Sequence, residues 1–217
     1  MKKLSLLIVG VLLGSTLLAQ EARFGVMGGA NLANLTKSTG TDLYGEEYSE
    51  ETYGNTIKPG LALGVYANVP FAGNDVVSLN PELFYSQLGA KYESDDGNVE
   101  INRNLHFIEL PVLLKFNIVP AFHIVAGPSF SYLVGGKDKF DGEGTVFGID
   151  IDAEGEQELD MDDFNRAGIG GTVGLGFDAT ENFKVFGKYS LGFTDLLKND
   201  DSEAFNSNIQ VGVGYAF

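Results

Sequence analysis

The sequence predicts an all-β protein, an eight-stranded antiparallel up-and-down transmembrane β-barrel with short periplasmic turns and long acidic extracellular loops. Three observations predict it: apolar residues alternate with small or polar ones through eight segments, the links between these segments alternate in length, and the first residues carry the pattern of an export signal.

The leader comes first. Lys2 and Lys3 precede an apolar stretch at 4–13, then Gly14, Ser15 and Thr16 lead to Ala19 and Gln20. Charged, apolar, then small is the order of a secretory signal, and the apolar run falls short of the roughly 20 residues a helix needs to span a bilayer. The expectation is a signal peptide over 1–19, cleaved after Ala19, and one barrel domain over 20–217. The chain has no cysteine. Disulfides therefore add nothing to stability, and no lipid-modified cysteine sits at the cleavage boundary.

The strands follow from a side-chain period of two. The first sets Phe24 and Val26 against Arg23, Gly25, Met27, Gly29 and Asn31; the second sets Leu61, Leu63, Val65 and Ala67 against Gly60, Ala62, Gly64, Tyr66 and Asn68. The third, about 77–92, carries Leu79, Leu83 and Tyr85 on one face and Ser78, Asn80, Glu82 and Ser86 on the other. The fourth points His106, Ile108, Leu110, Val112, Leu114 and Phe116 outward and Glu109, Leu113, Lys115 and Asn117 inward. The fifth, 122–135, has Ile124, Ala126, Phe130, Tyr132 and Val134 outward. In the sixth, 166–178, Ile169, Val173, Leu175 and Phe177 oppose a row of glycines broken by Thr172; in the seventh, 183–194, Val185, Tyr189, Leu191 and Phe193 oppose Phe186, Lys188, Ser190 and Gly192. The last, 208–217, alternates Ile209, Val211, Val213, Tyr215 and Phe217 with Gln210, Gly212, Gly214 and Ala216. A soluble sandwich would favour long polar side chains on its second face. Small residues there suit the crowded inside of a narrow barrel, where about eight strands leave room for little more than side chains.

The links at 70–75, 118–121 and 179–182 are short, and the others are long and acidic. Short periplasmic turns and long external loops fix the orientation and place Phe71, Phe122, Phe183 and Phe217 at the periplasmic interface.

The formal net charge is −16, with acids gathered at 42–51, 93–100 and 138–163. Nucleic acid is excluded as a partner, because binding it needs a positive surface. Glu82, Glu109, Lys115 and Lys188 project inward by the alternation, and Arg23 and Arg166 are expected to join them. Charges in a narrow lumen are costly unless paired, so the expectation is an ion-pair network plugging the interior.

Catalysis would need a histidine beside a serine or carboxylate. Only His106 and His123 exist, and they fall at opposite ends of their strands, among interface residues. A pairing of His106 with Ser86 or Glu82 conflicts with its outward phase. The chain is expected not to be an enzyme and to need no cofactor. Asp150, Asp152, Glu154 and Gly155 begin like a calcium loop, but its twelfth position is Met161, flanked by Asp160 and Asp162. The motif is broken. A solvated acidic loop that bridges divalent cations to lipopolysaccharide without fixed geometry accounts for it.

Six segments carry a resemblance: GGANL at 28–32, PELFYSQLGAK at 81–91, IELPVLLK at 108–115, AGPS at 126–129, GLGF at 174–177 and KYSLGFTD at 188–195. On these the chain resembles the outer membrane β-barrel proteins of the Bacteroidota known as PorT-like or outer membrane protein beta-barrel domain proteins. The resemblance implies a small barrel in the cell outer membrane, in contact with its lipid and lipopolysaccharide, and little about activity. Terminal Phe217, with Tyr215, Val213 and Val211 at alternating positions, also looks like the recognition strand read by the barrel-assembly machinery. Two readings of function stand at this level. One is a structural or surface-interaction barrel with a plugged interior; the other is a small porin-like channel, cation-preferring because its mouth is acidic. A secretion-accessory role rests on family analogy alone.

The leader reading has a direct check: N-terminal sequencing of the protein extracted from membranes should begin at Gln20, and an intact Met1 would overturn it.

Overall fold

A computed structural model of the chain describes residues 22–41, 47–48, 54–71, 74–93, 99–146, 149–152, 155–198 and 203–217. The proposed leader, residue Glu154 and most of the acids at 42–51 lie outside the described residues.

Eight long strands form the wall: β1 Arg23–Thr41, β2 Lys58–Phe71, β3 Asn74–Glu93, β4 Val99–Val119, β5 Phe122–Val146, β6 Ala167–Asp178, β7 Phe183–Gly192 and β8 Glu203–Ala216. Each pairs antiparallel with its neighbours in sequence, and β8 returns to β1 in a register running from Gly25↔Ala216 to Thr36↔Phe205. The sheet is therefore a closed ring with no exposed edge along the spanning rows, which a bilayer demands because it offers no water to unpaired backbone groups. Short strands add to the loop end: Glu47–Tyr48 pairs with β1, Gly54–Thr56 with β3, and Ile149–Asp152 and Gly155–Glu158 with β5.

The two faces of the wall have opposite chemistry. On β2, Leu61, Leu63 and Val65 are more than half exposed, while Ala62 and Tyr66 between and beside them are buried. The same outward apolar row runs through β6 in Ile169, Val173, Leu175 and Phe177, and through β8 in Ile209, Val211, Val213 and Tyr215. In water each of these side chains would forgo about 1.5–3 kcal/mol of burial. A continuous band of them is stable only against lipid.

Two apolar clusters of buried side chains lie inside the ring. Toward the end that holds the start of β1 and the finish of β8, here the turn end, Met27, Tyr66, Phe84 and Phe186 form one apolar cluster. Toward the other, loop end, Leu88, Leu105, Phe107 and Leu133 pack with Phe164 and Leu196. Those last two come from the links after β5 and β7. The links are tied together by a Phe164↔Leu197 bridge, by Asn165 Nδ2 donating to the carbonyls of Asp195 and Leu197 at 3.1 and 2.9 Å, and by Asp195 Oδ1 accepting from the amides of Leu197 and Ala204 at 3.0 and 2.9 Å. The loop end is thus capped by folded chain.

Two features depart from the expected pattern. The stretch at 136–163 is not a simple loop, since β5 continues to Val146 and two short strands pair back onto it. Likewise β3 and β4 run to Glu93 and from Val99, so Glu93 and Glu100 belong to strands, while Asp95 and Asp96 lie outside the described residues. The strands overshoot the ~9–11 residues needed to cross lipid, and their polar extensions are hydrated. The second departure is a bulge. Phe107 pairs with Leu133 and His106 with Gly135, leaving Val134 unopposed. One extra residue inverts the inward parity of β5 beyond that point. Leu133 and Asp138 therefore both come to lie inside.

Close packing between strands predicts a cost at Gly176. A Cβ there would fall on the ring of His123 across the β5–β6 pair. Gly176→Val should lower barrel stability by about 1–3 kcal/mol through overpacking, read as a shift in the urea midpoint for folding into micelles; an unchanged midpoint would contradict this packing.

Candidate functional site

Inward parity brings Ser78, Asn80, Glu82, Phe84 and Ser86 into the lumen from β3 and Lys184, Phe186 and Lys188 from β7. In an eight-stranded ring these two strands are four apart and face each other across the bore. Lys188 Nζ lies 2.5 Å from Glu82 Oε2, with the two side chains 4% and 3% exposed. Asn80 Nδ2 donates to the other oxygen, Glu82 Oε1, at 2.8 Å. The ammonium also lies 4.5 Å from the ring centroids of both Phe84 and Phe186. Two charges removed from water are tolerable only when their remaining hydrogen-bonding positions are filled in this way.

Uncharged polar pairs continue the lumen toward the loop end. Asn208 Nδ2 donates to Asn31 Oδ1 at 3.2 Å, Asn31 Nδ2 donates to the Leu61 and Gln87 carbonyls at 3.4 and 3.3 Å, and the hydroxyls of Thr172 and Ser190 lie 2.8 Å apart. At the turn end three basic side chains gather around one carboxylate. Lys115 Nζ is 3.2 Å and His123 Nδ1 3.3 Å from Asp178 Oδ2. Lys184 stands opposite Asp178 in the β6–β7 register, with its ammonium 3.4 Å above the Tyr66 ring.

Of the charges read from sequence, Glu82 and Lys188 meet directly, and Lys115 pairs with Asp178. Glu109 also projects inward, opposite Phe84 on β3 and Ser131 on β5, with no basic group at ion-pair distance among the described residues. Arg23 and Arg166 do not join this lumen. Arg23 is exposed at the turn-end rim. Arg166 precedes the first residue of β6 and escapes its alternation; its guanidinium lies 4.9 Å from the Tyr132 ring on the outer wall, and its Nε donates to the Leu133 carbonyl at 3.1 Å. His123 is a lumen residue, 3% exposed, rather than an interface one. His106 faces outward and stacks on Tyr85, whose hydroxyl lies 2.7 Å from its Nδ1; neither Ser86 nor Glu82 is its partner. Lys184, Asp178 and His123 were missed as site residues, although Lys184 and Asp178 share the parity of neighbours read as inward and His123 is out of phase with the outward row of its strand.

The loop-end extensions carry cross-strand ion pairs. Arg103 forks onto Asp138, Nε to Oδ1 at 3.0 Å and Nη2 to Oδ2 at 2.7 Å, from directly opposite positions on β4 and β5. Lys91 lies 2.7 Å from Glu100, and its hydrogen bond holds that carboxyl below the usual range, aided by Asn102. Lys137 and Lys139 both reach Glu156, at 2.8 and 2.6 Å, and depress its carboxyl to about 2. The side chains of Asp150 and Asp152 lie outside the described residues, as does Glu154, so the calcium-like stretch has no described geometry.

The chain matches the family described as "Outer membrane protein beta-barrel domain" over residues 18–198. Among solved structures it is similar to Neisserial surface protein A, at 14% identity and TM-score 0.50, covering 91% of this chain and 100% of that one. Ail, the attachment invasion locus protein of Yersinia pestis, matches at 14% identity and TM-score 0.45 over 91% of this chain and all of that one; OprG of Pseudomonas aeruginosa matches at 14% and 0.40 over 90% and 96%. No curated protein matches the sequence. A ring of eight antiparallel strands with a lipid-compatible exterior, together with a family match across most of the sequence, makes the chain a member of the outer membrane protein beta-barrel domain family, located in the cell outer membrane.

Proposed function

We propose that the protein is a structural or surface-interaction barrel whose lumen is closed and whose working surface is the acidic loop end. The observation that carries this reading is the Glu82–Lys188 pair, which joins opposite walls at mid-lumen and leaves both groups buried. Aromatic rings flank it, and the folded cap of Phe164 and Leu196 lies beyond it. Eight-stranded barrels have interiors that side chains fill, which also favours closure over conduction. At the surface, non-specific divalent bridging between the acidic loops and lipopolysaccharide phosphates needs no built metal site. The outward row of Val211, Val213, Tyr215 and Phe217 on the closing strand supports a role as recognition signal for the assembly machinery. The leader at 1–19 belongs to the same export route, and the narrower PorT-like affinity rests on the segments at 81–91 and 108–115.

The channel reading draws on the polar side chains that continue above and below the central pair. Planar-bilayer recording of the refolded protein separates the two, with folding confirmed by heat-modifiable gel mobility. The closed reading expects no current; discrete steps that change on Lys115→Ala or Lys188→Ala would replace it with the channel. The central pair has its own energetic signature. Lys188→Ala should cost about 3–5 kcal/mol, because it leaves Glu82 buried and unpaired. Lys188→Met combined with Glu82→Gln should recover most of that loss in urea titrations. Additive losses in the double variant would show that the pair is not coupled.

A further inference from the structure

Several charges elsewhere in the barrel are matched one to one: Lys188 with Glu82, Arg103 with Asp138, Lys91 with Glu100. The turn end of the lumen gathers basic groups in excess. A walk around the ring at this level meets Arg23 at the rim from β1, Tyr66 from β2, Lys115 from β4, His123 from β5, Asp178 from β6 and Lys184 from β7. From β8 come only Gly214 and Ala216. Glu82, the carboxylate one layer deeper on β3, is committed to Lys188. Among the described lumen residues at this level a single acid, Asp178, therefore faces two lysines, a histidine and a rim arginine, in a chain whose overall charge is −16.

One buried polar atom here, His123 Nδ1, lacks a hydrogen-bond partner, and the Lys184 ammonium meets a ring face in place of an acceptor among the described residues. Lys184 is 9% exposed; its ammonium has three N–H donors, meets only the face of the Tyr66 ring, and has no acceptor among the described residues. His123 is 3% exposed, and its Nδ1, although 3.3 Å from Asp178, has no hydrogen bond of good geometry. Asp178 is the open side of the group, with its side chain 30% exposed at the final residue of β6. Access is thus from the turn end, while Phe84, Phe186 and the central ion pair close the lumen above.

We propose that this vestibule is an oxyanion-binding site, in which Lys184 and Lys115 hold a phosphate-type or carboxylate group entering from the periplasmic mouth, with His123 at its edge. An oxyanion supplies the acceptors that Lys184 lacks and cancels the local excess of positive charge. The closed lumen above admits only a small anion, or the charged end of a longer molecule. The assignment does not depend on whether the barrel conducts.

The test uses the full refolded barrel in phosphate-free zwitterionic micelles, following the side-chain NMR resonances of Lys184 and His123 while inorganic phosphate is added. The expected result is a saturable shift of both, absent when chloride is added to the same ionic strength. Lys184→Met and, separately, Lys115→Met should each raise the apparent Kd about tenfold or more, the scale of one charged hydrogen bond. Lys137→Met at the loop end should leave it unchanged, with folding of every variant confirmed by gel mobility. A parallel arm adds phosphatidylglycerol to the micelles: saturation by the lipid but not by phosphate assigns the oxyanion to a headgroup, and saturation by phosphate alone assigns it to a free anion. Shifts that stay linear in both arms, that chloride reproduces, or that survive both the Lys184 and Lys115 substitutions would overturn the site.

Discussion

The pairing of β8 with β1 is the contact on which everything else depends. An unsatisfied backbone group in hydrocarbon costs several kcal/mol, so a membrane strand with one free edge is not a viable structure. Ring closure along Gly25↔Ala216 to Thr36↔Phe205 satisfies both edges at once, and it also sets the bore. Eight strands give a lumen about as wide as opposing side chains can fill. The inward glycines of β6 and β8 follow from this width. At Gly212 a Cβ would meet the ring of Phe186, so each large inward side chain depends on a small one beside it.

Closure also explains how a strongly acidic chain tolerates lysines in its interior. In a wider barrel Lys188 would be hydrated. Here it is held between Glu82 and two aromatic rings, because the opposing wall lies within the reach of its side chain. Hydrogen bonds from neighbours such as Asn80 offset part of the desolvation cost. The turn end follows another logic, with Asp178 shared between Lys115 and His123 and Lys184 left on a ring face. The central acid and base are thus bound to each other, whereas at the entrance one carboxylate is shared among several basic groups.

The loop end shows what strands do once they leave lipid. The apolar exterior gives way to Lys91, Glu100, Lys137, Lys139 and Glu156, and the ladder continues because backbone pairing does not depend on the side chains it carries. Opposite charges across neighbouring strands add support there, modest for exposed pairs and larger for the forked, half-buried Arg103–Asp138 pair. Acidic composition read in one dimension as loop is in part a raised sheet.

The sequence by itself determined the two faces of the membrane-spanning rows. Alternation is a local property, fixed by the backbone within a few residues, so the lipid row of β2 and the glycine row of β6 were legible without knowledge of any other strand. Strand number followed from counting such segments, and orientation from the lengths of their links. The resemblance carried by 81–91 and 108–115 pointed to the family that the match over 18–198 establishes. Tertiary structure alone decided which inward groups meet. That Glu82 finds Lys188 and that Asp178 gathers Lys115 and His123 depends on ring size and on the sum of all the registers around it, which no single segment encodes. The bulge at Val134 is the sharpest case: one unopposed residue turned Asp138 inward to Arg103, and local alternation had no means of locating it.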